Sequence, residues 1–379
     1  MHHHSRRDFF ARSFGGILAG ASILEEAFVR AGWARAQSPT ATATLFNIEK
    51  VADGVFAALS KPQMLTNCNA AVFVGARDVL VVDAHSKPSA AAALIAQIRK
   101  EITEKPVRWL VNSHFHWDHT QGDAAYKVAN AKVDIIASDT TKRLMQQLQR
   151  DRLKESLDGV PALIDAVRAR LAKAASAPER YTAEEQLRQL AAYQAEMKSY
   201  PLELPTITFG KSYVVKDRAG DIHIEFHGRA HTAGDVQVFS PARKVVATGD
   251  TIIGYLPFLD DGYPRAWPRT IDSIGQLKFD HAIGGHGPVQ HDRSRIGQLR
   301  NYIEDLTMRV EAGKKAGKTV ADLQKELTVQ SLRTLEDGGY GRWVVENFER
   351  FQTYVGPRTA IEDRILANID AIYRNLDRV

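Results

Sequence analysis

Residues 114–119 read His-Phe-His-Trp-Asp-His and follow closely on the apolar run Val107–Val111. Four ligand-type side chains therefore crowd into six positions just after a candidate strand. A strand that stops at a turn aims alternate side chains, His114 and His116, at one point. The turn that follows brings Asp118 and His119 toward a second. Neutral imidazoles and carboxylates are donors suited to zinc, and equally to iron or manganese. Taken alone, the hexapeptide could still be a polar core cluster satisfied by hydrogen bonds.

Three later segments repeat the arrangement of a donor at a strand terminus. Gly228-Arg229-Ala230-His231-Thr232-Ala233-Gly234-Asp235 is a glycine-bracketed turn presenting His231. Val245-Val246-Ala247-Thr248-Gly249-Asp250 is a buried strand delivering a carboxylate at its end. Ala282-Ile283-Gly284-Gly285-His286-Gly287-Pro288 delivers a histidine in a glycine-rich loop. Open sheets place their ligands at strand ends of this kind.

Around these motifs the chain divides into blocks. Residues 45–140 read as strands and turns with one helix. Phe56 to Leu59, Ala71 to Val74 and Val79–Val82 are short apolar runs, the last ending at Asp83, and Ser89 to Lys100 has helical spacing. Residues 140–203 carry no strand signal. They are rich in Ala, Gln, Arg, Lys, Glu and Leu, with Leu144, Leu148, Leu163, Val167 and Leu171 at helical spacing. This predicts an inserted helical segment. Strands resume at Tyr213, Ile222, Val236, Val245 and Ala282, and from Ser294 onward the pattern is helical, continuing as a C-terminal helical extension over 301–379.

The ligand segments match, in order and context, the HxHxDH signature and the remaining metal motifs of the metallo-β-lactamase superfamily, which the chain resembles over residues 45–300 apart from the insertion. The resemblance implies an α/β fold, a four-layer αββα sandwich with metals at one edge. It implies that His114, His116 and His231 bind one metal, that Asp118, His119 and His286 bind a second, and that Asp250 bridges them. The expected cofactor is two Zn2+ ions, with iron or manganese as alternatives. Two cations sharing a water depress its pKa and supply hydroxide for attack on a carbonyl. Asp118 is expected to orient that nucleophile as well as bind metal. Asp83 resembles the family's carboxylate that holds a metal-binding histidine from behind.

Fold membership leaves the substrate open. Asp250 departs from the β-lactamases proper of this superfamily, which carry Cys or Ser at that place, and matches its thioesterases, lactonases and generic hydrolases. The expectation is a small ester, lactone or related acyl substrate. A β-lactamase-like amidase is the alternative, and a non-catalytic metal-binding or relay protein the reading from another class. Tyr255, Phe258, Tyr263 and Trp267 lie in a Gly/Pro-rich stretch after Asp250 and are expected to form an apolar substrate wall. His85, two residues beyond Asp83, reads as an exposed loop histidine. His281 and His291 read as surface or supporting residues, and Asn69 as structural.

Composition bounds the rest. With 379 residues, 44% hydrophobic and 25% charged, the chain reads as an ordinary globular protein able to bury a large core. A formal charge of +5 with interspersed signs gives no support to a nucleic-acid role. Cys68 is the single cysteine, so there is no internal disulfide and thiolates cannot dominate a metal site. At the N-terminus, Arg6-Arg7 precede Phe9-Phe10, an apolar stretch from Phe14 to Leu24, and Ala34-Arg35-Ala36 before Gln37. Residues 1–36 thus resemble a twin-arginine signal peptide, which implies the Tat export machinery as a partner and a periplasmic location. The apolar stretch is too short to span a bilayer. A homodimer face on the insertion is a further expectation.

Overall fold

A computed structural model of the chain describes residues 45–61, 68–351 and 360–378. The signal-like residues 1–36 lie outside the described residues. Seven strands form the first sheet and neighbour one another in chain order: β1 (Phe46–Ala52), β2 (Val55–Ser60), β3 (Ala70–Val74), β4 (Val79–Val82), β5 (Val107–Val111), β6 (Asp134–Ser138) and β7 (Ile207–Phe209). Pairing is antiparallel from β1 to β4 and parallel from β4 to β7. The second sheet holds β8 (Ser212–Val215), β9 (Ile222–Glu225), β10 (Gln237–Ser240), β11 (Val245–Gly249) and β12 (His281–Gly284), antiparallel except for the β11–β12 pair.

Side-chain alternation explains why two sheets must stack. In β4, Leu80 and Val82 enter the core between the sheets, while Val79 and Val81 point to the opposite face. The run is apolar throughout because both faces are covered. β11 behaves alike, with Val245 and Ala247 facing the first sheet and Val246 facing outward. The outer face of the first sheet is sealed by α1 (Pro88–Glu101) and α3 (Asp123–Ala129), through residues such as Leu94, Ile98 and Tyr126. α2 (Trp117–Thr120) is the single turn between β5 and α3. The second sheet is covered by α6 (Trp267–Ile274), α7 (Ser294–Lys315) and, beyond α8 (Val320–Glu326), α9 (Tyr340–Phe351) and α10 (Ala360–Asn375). The result is the αββα sandwich. Helix α7 runs through position 300, and Ile361, Ile365, Ile369 and Ile372 of α10 share one core with Phe239 and Val246 of the second sheet. The C-terminal helices are thus continuous with the outer layer rather than an appendage to it.

The predicted insertion is a helical hairpin, α4 (Asp139–Lys173) and α5 (Ala177–Met197). Ser138 caps α4 by accepting from the Thr141 amide, and Ser176 with Glu179 forms a capping box on α5. Val160, Val167, Leu190, Tyr193 and Met197 give the hairpin a small core of its own, against which Trp117 packs. No helix among the described residues is long and apolar enough to cross a membrane.

Strand register gathers the functional loops. Val82 pairs with Val111, so β4 and β5 end level and release Asp83 and residues 112–119 at one edge. Gly249 pairs with Gly284, so β11 and β12 release Asp250 and His286 together. β10 is antiparallel to β11, so the His231 loop enters β10 at the end where β11 leaves. Five segments of the sequence converge on that edge.

Candidate metal centre

All seven donors named from the sequence meet at this edge. His114, His116 and His231 form one group able to hold a metal, and Asp118, His119 and His286 another. His114, His119 and Asp250 form a third that draws on both, so Asp250 stands between the first two. Asp250 Oδ2 lies 3.4 Å from His231 Nε2 and 3.3 Å from His286 Nε2, and its Oδ1 lies 3.5 Å from His119 Nε2. Asp118 Oδ2 is 3.2 Å from His286 Nε2 and 3.4 Å from His119 Nε2.

In four of the five histidines the ring nitrogen that faces away from this centre is occupied, and that fixes their tautomers. His119 Nδ1 donates to Asp83 Oδ2 at 2.8 Å, and His231 Nδ1 donates to the Phe258 carbonyl at 2.9 Å. His116 Nε2 donates to Asp261 Oδ2 at 2.8 Å, leaving its Nδ1 facing His231 Nε2 at 2.9 Å. His114 Nδ1 meets Ser113 Oγ at 3.0 Å, and Ser113 Oγ in turn donates to Asp83 Oδ2. The inward atoms His114 Nε2, His119 Nε2 and Asp250 Oδ1 are buried and have no hydrogen-bond partner in the protein. Buried polar atoms are seldom left so, because each costs about 1–3 kcal/mol. Converging lone pairs of this kind fit metal ions.

Electrostatics agree. Burial pushes the carboxyls of Asp118 and Asp250 up, yet His119 and His286 outweigh it and hold both well below the usual carboxylate range. Burial lowers His286, but Asp250 and Asp118 outweigh this and raise it to about 9. His231, governed by burial, falls to about 3. The carboxylates thus favour positive charge at the centre, as metal ions would supply it. The side chains of His119 and His231 are at most 2% exposed, whereas those of Asp118 and His286 are 12% and 13% exposed. The His116 side chain is 10% exposed, so the site opens toward solvent past His116, Asp118 and His286.

Glycine makes room for the donors. A Cβ at Gly285 would stand 2.2 Å from Asp250 Oδ1 and 2.7 Å from His119 Cε1. Gly285→Ala is accordingly expected to displace Asp250 and to lower bound metal per chain by at least half, by elemental analysis, while the chain still folds. Full metal content in that variant would show that the loop shifts freely.

Several expectations require correction. Trp267 does not line a substrate wall: it is fully buried at the start of α6, its Nε1 donates to the Thr251 carbonyl, and its ring abuts His231 at 5.6 Å. Tyr255 is also buried, 5.9 Å from the His286 ring, and packs in the outer core. Phe258 and Tyr263, by contrast, are half-buried and keep part of their surface open, each beneath a guanidinium, Arg364 and Arg229 respectively. His85 is not exposed. It is wholly buried, with Nδ1 3.3 Å from Cys68 Sγ.

Other residues take up supporting places. Asp83 sits behind His119, and Asn69 Nδ2 donates to the carbonyls of Gly284 and Gly287, pinning the His286 loop. His281 and His291 pair on the surface, with His291 also meeting Glu49. Asp261, which holds His116, was not anticipated, nor was Arg152, which chelates Asp261 through both terminal nitrogens. Asp260-Asp261-Gly262 reads as an ordinary turn, and nothing in its spacing separates one aspartate from the other.

The sequence model of the metallo-beta-lactamase superfamily matches residues 64–299, and the chain belongs to that superfamily. Among solved structures it is similar to a metallo-beta-lactamase from Pontibacter korlensis, at 17% identity and a TM-score of 0.47, covering 67% of this chain and 98% of that one. It is also similar to the metallo-beta-lactamase FIM-1 from Pseudomonas aeruginosa in its mono-zinc form, at 16% identity and a TM-score of 0.48, covering 69% of this chain and 95% of that one. The protein is a metal-dependent hydrolase.

Proposed function

We propose that the protein uses two zinc ions to hydrolyse a small ester, lactone or related acyl compound. The observation that carries this reading is the place of Asp250, whose carboxylate reaches His231, His119 and His286 and so touches both donor groups. His114, His116 and His231 would hold one ion, Asp118, His119 and His286 the other, with Asp250 shared. Bound there, the ions would supply a nucleophile at neutral pH and polarise the scissile carbonyl. The chain's own part is orientation. Asp83, Asp261 and the Phe258 carbonyl fix the imidazoles of His119, His116 and His231, and Asp118 would orient the incoming nucleophile as well as hold metal. The twin-arginine segment supports a periplasmic enzyme, delivered folded.

The test is a panel of esters, lactones, thioesters and β-lactams offered to protein loaded with zinc, with metal content measured in parallel. Ester or lactone turnover that chelation abolishes and zinc restores is expected. Faster turnover of β-lactams would move the assignment to an amidase. Two bound metals without turnover on any member would favour a binding or relay protein.

A further inference from the structure

The geometry points to the inserted helix α4 as a positioning element for the first metal group, acting through Arg152 and Asp261 on His116. This inference rests on reading His114, His116 and His231 as the donors of one ion.

Two residues one turn apart on α4 reach the His116 loop. Gln149 Nε2 donates to the Phe115 carbonyl at 3.0 Å and to Thr120 Oγ1 at 2.5 Å, and Gln149 is buried. Thr120 Oγ1 donates onward to the His116 carbonyl at 3.0 Å. Arg152 places Nη1 2.8 Å from Asp261 Oδ2 and Nη2 2.9 Å from Asp261 Oδ1, with its guanidinium 5.0 Å from the Phe115 ring. Asp261 Oδ2 also accepts from His116 Nε2. The start of α4 holds the neighbouring donor loop, because Ser138 Oγ and Thr141 Oγ1 both donate to the Gly234 carbonyl, at 2.7 and 3.0 Å. The insertion is therefore bolted to the loops carrying His116 and His231, and the bolts run to backbone and to Asp261 rather than into open space.

The physical consequence concerns His116 alone among the donors. A carboxylate on Nε2 keeps the proton there and leaves the Nδ1 lone pair for metal. A lone carboxylate on a turn could swing, but a planar guanidinium gripping both of its oxygens cannot be satisfied in another orientation. Arg152 thus fixes Asp261, and Asp261 fixes the tautomer and ring plane of His116.

Metal affinity is the readout. Metal-free protein titrated with Zn2+ against a competing chelator, and with Co2+ followed by absorbance, is expected to show two uptake steps. Arg152→Ala should weaken one step by about 10–100-fold and leave the other near wild type. Arg152→Lys, which supplies charge without the fork, should recover part of that loss. In 15N spectra of the metal-free protein, the His116 imidazole should lose its uniform Nε2–H tautomer in Arg152→Ala. Asp261→Asn, of the same size and readily checked for folding by its melting curve, should reproduce the selective loss. Arg168→Ala, exposed on the same helix, should change neither step. Two unchanged steps in both Arg152→Ala and Asp261→Asn would overturn this inference while leaving the proposed function intact. Equal weakening of both steps would reduce Arg152 to a general stabiliser and overturn it too. Wild-type protein without two uptake steps would overturn both readings together.

Discussion

Asp250→Asn is expected to lose about 10²–10³-fold in kcat/KM, and Asp250→Ala at least as much, while metal-free protein melts within a few degrees of wild type. The reasoning starts from position. Asp250 lies within 3.5 Å of histidines from both donor groups. Its charge, rather than its bulk, serves that role, so asparagine keeps the packing and removes the function. Charge stabilisation by correctly held metal ions is worth several kcal/mol in the transition state, and 3–4 kcal/mol corresponds to about 10²–10³ in rate. Stability should respond less, because β11 and its loop are anchored by Thr248 Oγ1, which donates to the Ile252 carbonyl, and by the amide of Gly285, which donates to Gly249. Steady-state kinetics, metal content and a melting curve on one preparation decide the matter. Turnover within a few-fold of wild type would mean that another group joins the two sites.

The donors were legible because strand ends are legible. Val107–Val111, Val245–Gly249 and His281–Gly284 announce themselves by largely apolar composition, with Asn112-Ser113 marking where the first stops and glycines marking where the other two stop. A histidine or aspartate at such a boundary faces the edge of a sheet, and the hexapeptide's spacing supplies the remainder. The groups that orient the donors were less legible for a physical reason. Arg152 and Asp261 are 109 residues apart and meet only because the α4 hairpin folds back on the His116 loop. No local period encodes that meeting. Arg152 is one of many basic residues on a 35-residue helix, and the Phe258 carbonyl that holds His231 is backbone, invisible to any side-chain pattern. Two of the aromatics after Asp250, Tyr255 and Trp267, failed differently. An irregular, Gly/Pro-rich composition predicts a loop but says nothing about depth, and Trp267 opens a helix whose inner face belongs to the outer core. His85 was misjudged on the same ground. Both Asp83 and His85 have positive φ, so this loop folds back under the sheet edge instead of leaving it.

That inward turn makes Asp83→Ala the second large effect. Asp83 is 2% exposed, and its two oxygens accept from the Ser113 amide, the Ser113 hydroxyl and His119 Nδ1, each at 2.8 Å. Alanine would leave these donors buried without an acceptor, at about 1–3 kcal/mol each. It would also hold φ near 69° with a Cβ and no polar group to offset the strain, about 1–2 kcal/mol. The donors share one region, so the losses will not add fully. A destabilisation of roughly 3–5 kcal/mol is expected from denaturant midpoints. Function should suffer on both sides of the site, because Asp83 orients His119 directly and His114 through Ser113. Metal affinity is expected to fall by about 10–100-fold at each of the two donor groups. Asp83→Asn separates the two effects. Asparagine tolerates the left-handed backbone and can accept from the Ser113 amide, so it should restore most of the stability. Its neutral amide cannot hold an Nδ1–H on His119 as a carboxylate does, so the weak metal binding should persist. Wild-type metal affinity in Asp83→Asn would show that the aspartate is only the hinge of its loop.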